Sequence, residues 1–228
     1  MSGVAADGAI PWPEIRFAPL SDAVREASRE EAFARRPAEG PVWVFAYGSL
    51  MWRPCFEAAE RRTGTIAGYR RSFCFWTMVS RGTPDRPGLG LGLEEAAAAR
   101  CHGVVYRLAE ATLDADLVAL WDREMFGGVY RPHWVDVVLD QPDGAGRSAT
   151  PALTFVAAPD HPQYCPPLTL GQRAEIIAGA AGKDGHCADY LEDTVRHLAD
   201  FGAVEADIAA LCEKVRALRA GAEKPASF

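Results

Sequence analysis

Glu124 is the residue whose type and position most invite chemistry. It ends the run Trp121-Asp122-Arg123-Glu124, with Met125 and then Gly127-Gly128-Val129-Tyr130 behind it. Read as the last turn of a helix, successive residues stand about 100° apart, so three charged side chains in a row cannot share one wet stripe. Glu124 follows Trp121 by three residues and Leu117 by seven, which puts it on the apolar side. It also stands at the negative end of the helix. Both placements disfavour the carboxylate and raise its pKa, as suits a general base working near neutrality. A buried structural glutamate paired with an arginine fits the same pattern.

The second candidate is residues 42–52, Val-Trp-Val-Phe-Ala-Tyr-Gly-Ser-Leu-Met-Trp. Val42, Trp43, Val44 and Phe45 form a short, β-prone apolar run that reads as a buried strand. The run breaks at Gly48-Ser49, where glycine permits unusual backbone angles and close approach to a ligand. Successive backbone N–H groups of Tyr47, Gly48, Ser49 and Leu50 can form a concavity for a carboxylate or a developing oxyanion. A plain strand ending in a turn is the alternative. Ser49 reads as a turn residue and hydrogen-bonding group rather than a nucleophile, because Gly-x-Ser-x-Gly is absent and no histidine follows in a triad context. Arg81, in the loop Arg81-Gly82-Thr83-Pro84, can hold a carboxylate by a forked pair of hydrogen bonds, or simply stand exposed.

These groups must be held by a frame. The chain of 228 residues carries 49% hydrophobic and 24% charged residues, values of a soluble globular protein. A net charge of −7 argues against a nucleic-acid or anionic-membrane surface. No run reaches the roughly 18 apolar residues of a membrane span. Met1-Ser2-Gly3-Val4 has no basic start before an apolar core, so no secretory signal is visible and a cytoplasmic location is expected. The six cysteines (Cys55, Cys74, Cys101, Cys165, Cys187, Cys212) form no Cys-x-x-Cys pair and read as reduced, small core residues. His102, His133, His161, His186 and His197 show no metal-ligand spacing, so no metal site is expected.

Residues 1–16 read as a loose arm. A helix follows over 21–36, capped by Ser21 and stopped by Pro37. Strands are predicted over 64–80, 88–93, 101–108, 129–139 and 152–157, with loops over 81–88 and 142–151. In Gly88-Leu89-Gly90-Leu91-Gly92-Leu93, glycine at alternate positions suggests a tight barrel wall or close approach of another backbone. Thr112 is placed to cap a helix whose stripe is Leu113, Leu117, Leu120, Trp121 and Met125, ended by Gly127-Gly128. Helices over 169–181, 189–201 and 204–218 close the chain. Strands come first and helices gather late, which indicates an α+β fold, with a small mixed barrel or strongly curled sheet flanked by helices concentrated at the C-terminal end. No linker separates two domains. The expected organisation is an arm and helix over 1–40, a single catalytic domain over 41–220, and a tail over 221–228.

The words themselves are specific. Tyr47-Gly48-Ser49-Leu50 with Met51-Trp52, then Arg81-Gly82-Thr83 with Pro87-Gly88, then Leu120-Trp121-Asp122-Arg123-Glu124-Met125 with Gly127-Gly128-Val129-Tyr130, occur in this order. Residues 152–157 and Pro162-Gln163-Tyr164 follow. Together they resemble the ChaC branch of the γ-glutamylcyclotransferases, whose members act on glutathione, over about residues 41–191. The resemblance implies that the α-amine of the γ-glutamyl group attacks its own γ-carbonyl and releases 5-oxoproline and an amine, Cys-Gly in the case of glutathione. It implies Glu124 as general base and then acid, Tyr47, Gly48, Ser49 and Leu50 as the binding turn, Arg81 and Tyr164 as substrate-pocket residues, and no cofactor. The family usually has Gly where Pro166 stands, Asn at Cys187 and Glu at Asp189. These departures bear on substrate preference more than on the reaction. Two other readings share the motifs: a binding or cation-transport regulatory protein without activity, and a cyclotransferase for other γ-glutamyl amines.

Overall fold

A computed structural model describes residues 8–14, 18–140 and 149–222. The 1–16 arm, the 142–151 loop and the 221–228 tail therefore fall wholly or partly outside the described residues. The described chain contains strands β1 (Trp43–Ala46), β2 (Ala58–Thr77), β3 (Gly88–Leu108), β4 (Tyr130–Leu139), β5 (Ala149–Ala157), β6 (Ala181–Gly182) and β7 (Gly185–His186). Its helices are α1 (Asp22–Ala34), α2 (Leu113–Glu124), α3 (Leu170–Gly179), α4 (Cys187–Ala199) and α5 (Ala206–Ala222). The first five strands close into a barrel in the order β1-β3-β2-β4-β5. It is mixed: β1 runs antiparallel to β3 but parallel to β5, with Val44 opposite Leu153. The expected α+β fold with a small mixed barrel is what forms.

The chain divides into two compact units. One comprises residues 18–72 and 92–161, the other 1–17, 73–91 and 162–228. The first unit holds much of the barrel wall, where Val44, Phe45, Ile66, Val104, Val105, Val137 and Leu153 are buried on one face or the other. Such side chains gather because each contributes roughly 1.5–3 kcal/mol when removed from water. Gly64 lies in this wall where a Cβ would meet a Val137 methyl at 2.7 Å. Helices α1 and α2 cover it. Trp121, buried in α2, packs edge-on against Phe155 at 5.3 Å and donates its indole N–H to Ser28 Oγ. Trp134 of β4 donates to the Ala32 carbonyl of α1 at 2.8 Å, and Arg25 pairs with Asp122 at 3.0 Å.

In the second unit the ends of β2 and β3 meet the late helices. Residues 163–165 join the end of β2: Trp76 N–H donates to Gln163 O at 2.7 Å and Cys165 N–H to Cys74 O at 2.8 Å. Ala174, Ile177, Leu191 and Val215 form the helical core. Thr169 caps α3 in a reciprocal box with Gln172. Gly90 lies where a Cβ would come within 2.1 Å of the Phe75 ring. The alternating glycines thus make room for an aromatic ring at Gly90 and for backbone at Gly88, 2.3 Å from Arg81 O by the same measure.

Several local expectations need correction. The strands expected over 88–93 and 101–108 are one strand, β3, because the alanine-rich stretch between them continues the ladder. Alanine has little β-propensity, so pairing rather than composition decides there. Thr112 makes no capping hydrogen bond to the helix. A 3-10 turn, Glu110–Thr112, precedes α2, and the Thr112 hydroxyl donates to Asp116 at 2.6 Å. Pro151 belongs to β5, opposite Asp136, rather than to a loop. α4 begins at Cys187 and α5 only at Ala206. The β6–β7 hairpin has no apolar alternation to reveal it; Gly185 at φ +106° takes the left-handed corner.

The cysteines are free, five of them buried and Cys55 half-buried. Among the described residues, no group of His, Cys, Asp and Glu is arranged to hold a metal ion, and no helix is long and apolar enough to cross a membrane.

Candidate active site

β1 ends at Ala46, and Ser49–Met51 follows as a single 3-10 turn with Gly48 at its N-cap. A helical start leaves its first N–H groups without partners inside the turn, here those of Ser49 and Leu50. The carbonyl side is fixed: Met51 N–H donates to Gly48 O at 2.9 Å, and Arg53 N–H to Ser49 O at 2.8 Å. The Tyr106 hydroxyl lies 3.1 Å from Leu50 O and 2.9 Å from Met51 O. The Tyr47 hydroxyl donates to Phe155 O at 2.7 Å, while its own carbonyl accepts from Arg71 Nε at 2.9 Å. Tyr47 is thus spent on bracing the turn, and Leu50 and Met51 are buried beneath it. Gly48 takes φ −125°, so the turn does not call on left-handed backbone there.

Glu124 is the last residue of α2, and Met125 caps the helix through its N–H to Trp121 O. Gly128, at φ +73°, turns the chain into β4. The Glu124 side chain is 14% exposed, with Leu117, Leu120 and Trp121 buried on the same helix. Burial pushes its carboxyl up to about 7, and the Arg123 guanidinium pulls the other way. Among the described residues Arg123 is its sole charged contact, Nε to Oε1 at 3.5 Å, and no protein donor hydrogen-bonds to it. A carboxylate so placed can take a proton from an incoming ammonium and return it.

Arg123 connects the two candidates. Its Nη2 donates to Ser49 Oγ at 2.9 Å and its Nη1 to the Arg53 carbonyl. Ser49 thus serves as an acceptor. Cys55 lies in the same cluster; burial pushes its thiol up, the charge of Glu124 adds to that, and Arg123 opposes it. The chain order hides this cluster. Arg123 stands 74 residues from Ser49, and nothing in the spacing marks either partner. Tyr47, Gly48, Ser49, Leu50 and Glu124 therefore come together in one compact unit, with Arg123 and Cys55 added to them.

Arg81 and Tyr164 belong to the other unit. Arg81 lies 5.3 Å from the centre of the Tyr190 ring and donates to His186 O at 3.2 Å. Among the described residues it pairs with no carboxylate, so its charge is available to an anion. Tyr164 bridges Phe75 at the end of β2 and is half-buried. Cys187 and Asp189 lie in the same unit. Cys187 is buried at the start of α4 with Sγ 3.2 Å from Leu89 O, and burial pushes its thiol up to about 12. Asp189 pairs with Arg219 of α5 at 3.1 Å.

The chain is similar to several known proteins. A glutathione-specific gamma-glutamylcyclotransferase of Escherichia coli K12 is 43% identical over 178 residues, 78% of this chain and 74% of the relative. One from Danio rerio is 33% identical over 66% of this chain and 75% of its own length. The gamma-glutamylcyclotransferase 2-3 of Arabidopsis thaliana is 32% identical over 80% and 92%. Among solved structures, that of a gamma-glutamyl cyclotransferase specific to glutathione from yeast superposes with a TM-score of 0.73 at 22% identity. It covers 82% of this chain and all of the yeast chain, a likeness of fold. The family model described as ChaC-like protein matches residues 42–218, which include every candidate residue above. The chain belongs to the family of ChaC-like proteins.

Proposed function

We propose that this protein is a glutathione-specific γ-glutamylcyclotransferase, with the activity carried by residues 41–220. The observation that carries the reading is Glu124: a carboxyl pushed up to about 7 by burial, free of hydrogen-bond donors among the described residues, and tied through Arg123 to the turn at Ser49. Relatives named for this reaction are 43% identical in Escherichia coli and 33% identical in Danio rerio and Homo sapiens, which adds support.

The α-amine of glutathione reaches the protein mostly as ammonium. Glu124 removes its proton. The amine nitrogen then forms a bond to the γ-carbonyl carbon of the same residue, and the carbonyl oxygen takes the negative charge. The Ser49 and Leu50 N–H groups, at the open start of the 3-10 turn, receive that charge or the α-carboxylate. Collapse of the intermediate breaks the amide bond to cysteine: Glu124 returns its proton to the departing nitrogen, and the second proton of the attacking nitrogen passes to the same amine, which leaves as ammonium while the ring keeps a neutral N–H. The products are 5-oxoproline and Cys-Gly. No water is consumed and no electrons are transferred. Because nucleophile and electrophile share one residue, the protein's main task is to hold the ring-forming conformer. By the resemblance, Arg81 and Tyr164 are further candidates for contact with the substrate.

The test is incubation of the purified protein with reduced glutathione, with both products followed by mass spectrometry beside Glu124→Gln. The expected result is both products from wild type and a loss of about 10²–10⁴-fold in turnover in the variant. Full activity in the variant removes Glu124 from the mechanism. Absence of both products from wild type removes glutathione as the substrate.

A further inference from the structure

We propose that Arg123 is a positioning residue for this reaction: its guanidinium clamps the Ser49 turn to the end of α2 and keeps the Glu124 side chain in its proton-accepting form. The inference rests on Glu124 as the base. It goes beyond that reading by assigning a role to a neighbour that needs no contact with substrate.

The argument is geometric. One guanidinium faces three acceptors contributed by two elements: Ser49 Oγ at 2.9 Å, the Arg53 carbonyl, and Glu124 Oε1 at 3.5 Å. The planar fork of arginine offers donors in fixed directions to Ser49 and Arg53 while its charge stands beside Glu124; a lysine ammonium is a single point on a flexible stem. The Arg123 side chain is 31% exposed and Glu124 14%, so the pair is partly shielded from water and its charge is felt. The charged and titratable groups that face Glu124 are Arg123, from its own helix, and Cys55, from the segment after the 3-10 turn. Cys55 is held as the neutral thiol by burial, which leaves Arg123 as the one group whose charge opposes burial at Glu124. Two tasks therefore meet in one side chain. The hydrogen bonds to Ser49 and Arg53 set where the turn stands relative to the helix end. The charge lowers the pH above which the base is ready, against the larger effect of burial.

These tasks separate experimentally. The measurement is the pH profile of kcat/KM for glutathione in wild type, Arg123→Gln, Arg123→Lys, Ser49→Ala and Glu124→Gln. Arg123→Gln removes the charge, so its acidic limb should move up by about one pH unit, with activity lost at pH 7 largely regained in alkali. Arg123→Lys keeps the charge but not the fork, so its limb should stay near wild type while kcat falls. Ser49→Ala should lower kcat and leave the limb in place. An unmoved limb in Arg123→Gln overturns the inference. So does a limb in Arg123→Lys or Ser49→Ala displaced by a full unit, and that result stands even if Arg123→Gln fails to fold. Glu124→Gln keeps the two claims apart. If it is fully active, the base assignment fails. If it is inactive and the Arg123→Gln limb has not moved, only the role of Arg123 fails.

Discussion

At the scale of single residues, Glu124 sets stability against readiness for catalysis. Its carboxyl is pushed up from 4.5 to about 7, chiefly by burial. Between those values the folded state binds more protons than the unfolded chain, so stability falls as pH rises through that window and levels off above it. Glu124→Gln cannot ionise. It should therefore be more stable than wild type at pH 8, by something of order 2 kcal/mol, and gain little at pH 4. Denaturant midpoints at the two pH values check this, and a variant no more stable at pH 8 than wild type contradicts it. The position of Glu124 is legible in the sequence because Leu117 and Trp121 mark the packed face of its helix. Arg123 is different. Its partners at Ser49 and Arg53 lie 74 and 70 residues away, and no local pattern records a meeting that only the folded barrel arranges.

At the scale of elements, the turn after β1 is braced from beneath by a neighbouring strand. Tyr106 of β3 holds the carbonyls of Leu50 and Met51 with one hydroxyl. Tyr106→Phe keeps the ring and removes the brace. It should cost about 1 kcal/mol of stability and lower kcat/KM for glutathione, as measured by thermal melting and steady-state rates. An unchanged kcat/KM would show that the turn keeps its form without the hydroxyl. Strands are legible where apolar residues run together, as in β1, or alternate, as in β4, and illegible where pairing alone makes them. Residues 94–100 of β3 are mostly alanine and glutamate, which favour helix in isolation, and the barrel's hydrogen-bonded ladder overrides that preference. Thr112 misleads for the opposite reason. It has the right chemistry for a cap, yet Asp116 takes its hydroxyl.

At the scale of the whole molecule, each compact unit is assembled from separated stretches of chain. Residues 73–91 pack with 162–228, although β2 and β3 run on through the barrel. A chain cut after His161 keeps every strand of the barrel. It also strands Trp76 without the Gln163 carbonyl that its N–H needs, and Leu89 without α4. That truncation should yield an aggregating or poorly folded product rather than an isolated barrel, as read by gel filtration and circular dichroism. A monodisperse, folded fragment would mean that the barrel stands without those partners. The gathering of helices late in the chain is visible in the sequence; that they share a unit with the middle of the chain is not, because the joining contacts cross more than 85 residues.

The burial of the cysteines has a consequence in redox terms. Mixed-disulfide formation needs an exposed thiolate. Here five thiols are buried, Cys187 is pushed up to about 12, and burial also raises half-buried Cys55. In the proposed reaction the substrate is itself a thiol, in constant exchange with its own disulfide. A protein whose sulfurs stay out of that exchange keeps one covalent form whether its surroundings are reducing or oxidising, so its rate follows the amount of substrate and not a record of past oxidation.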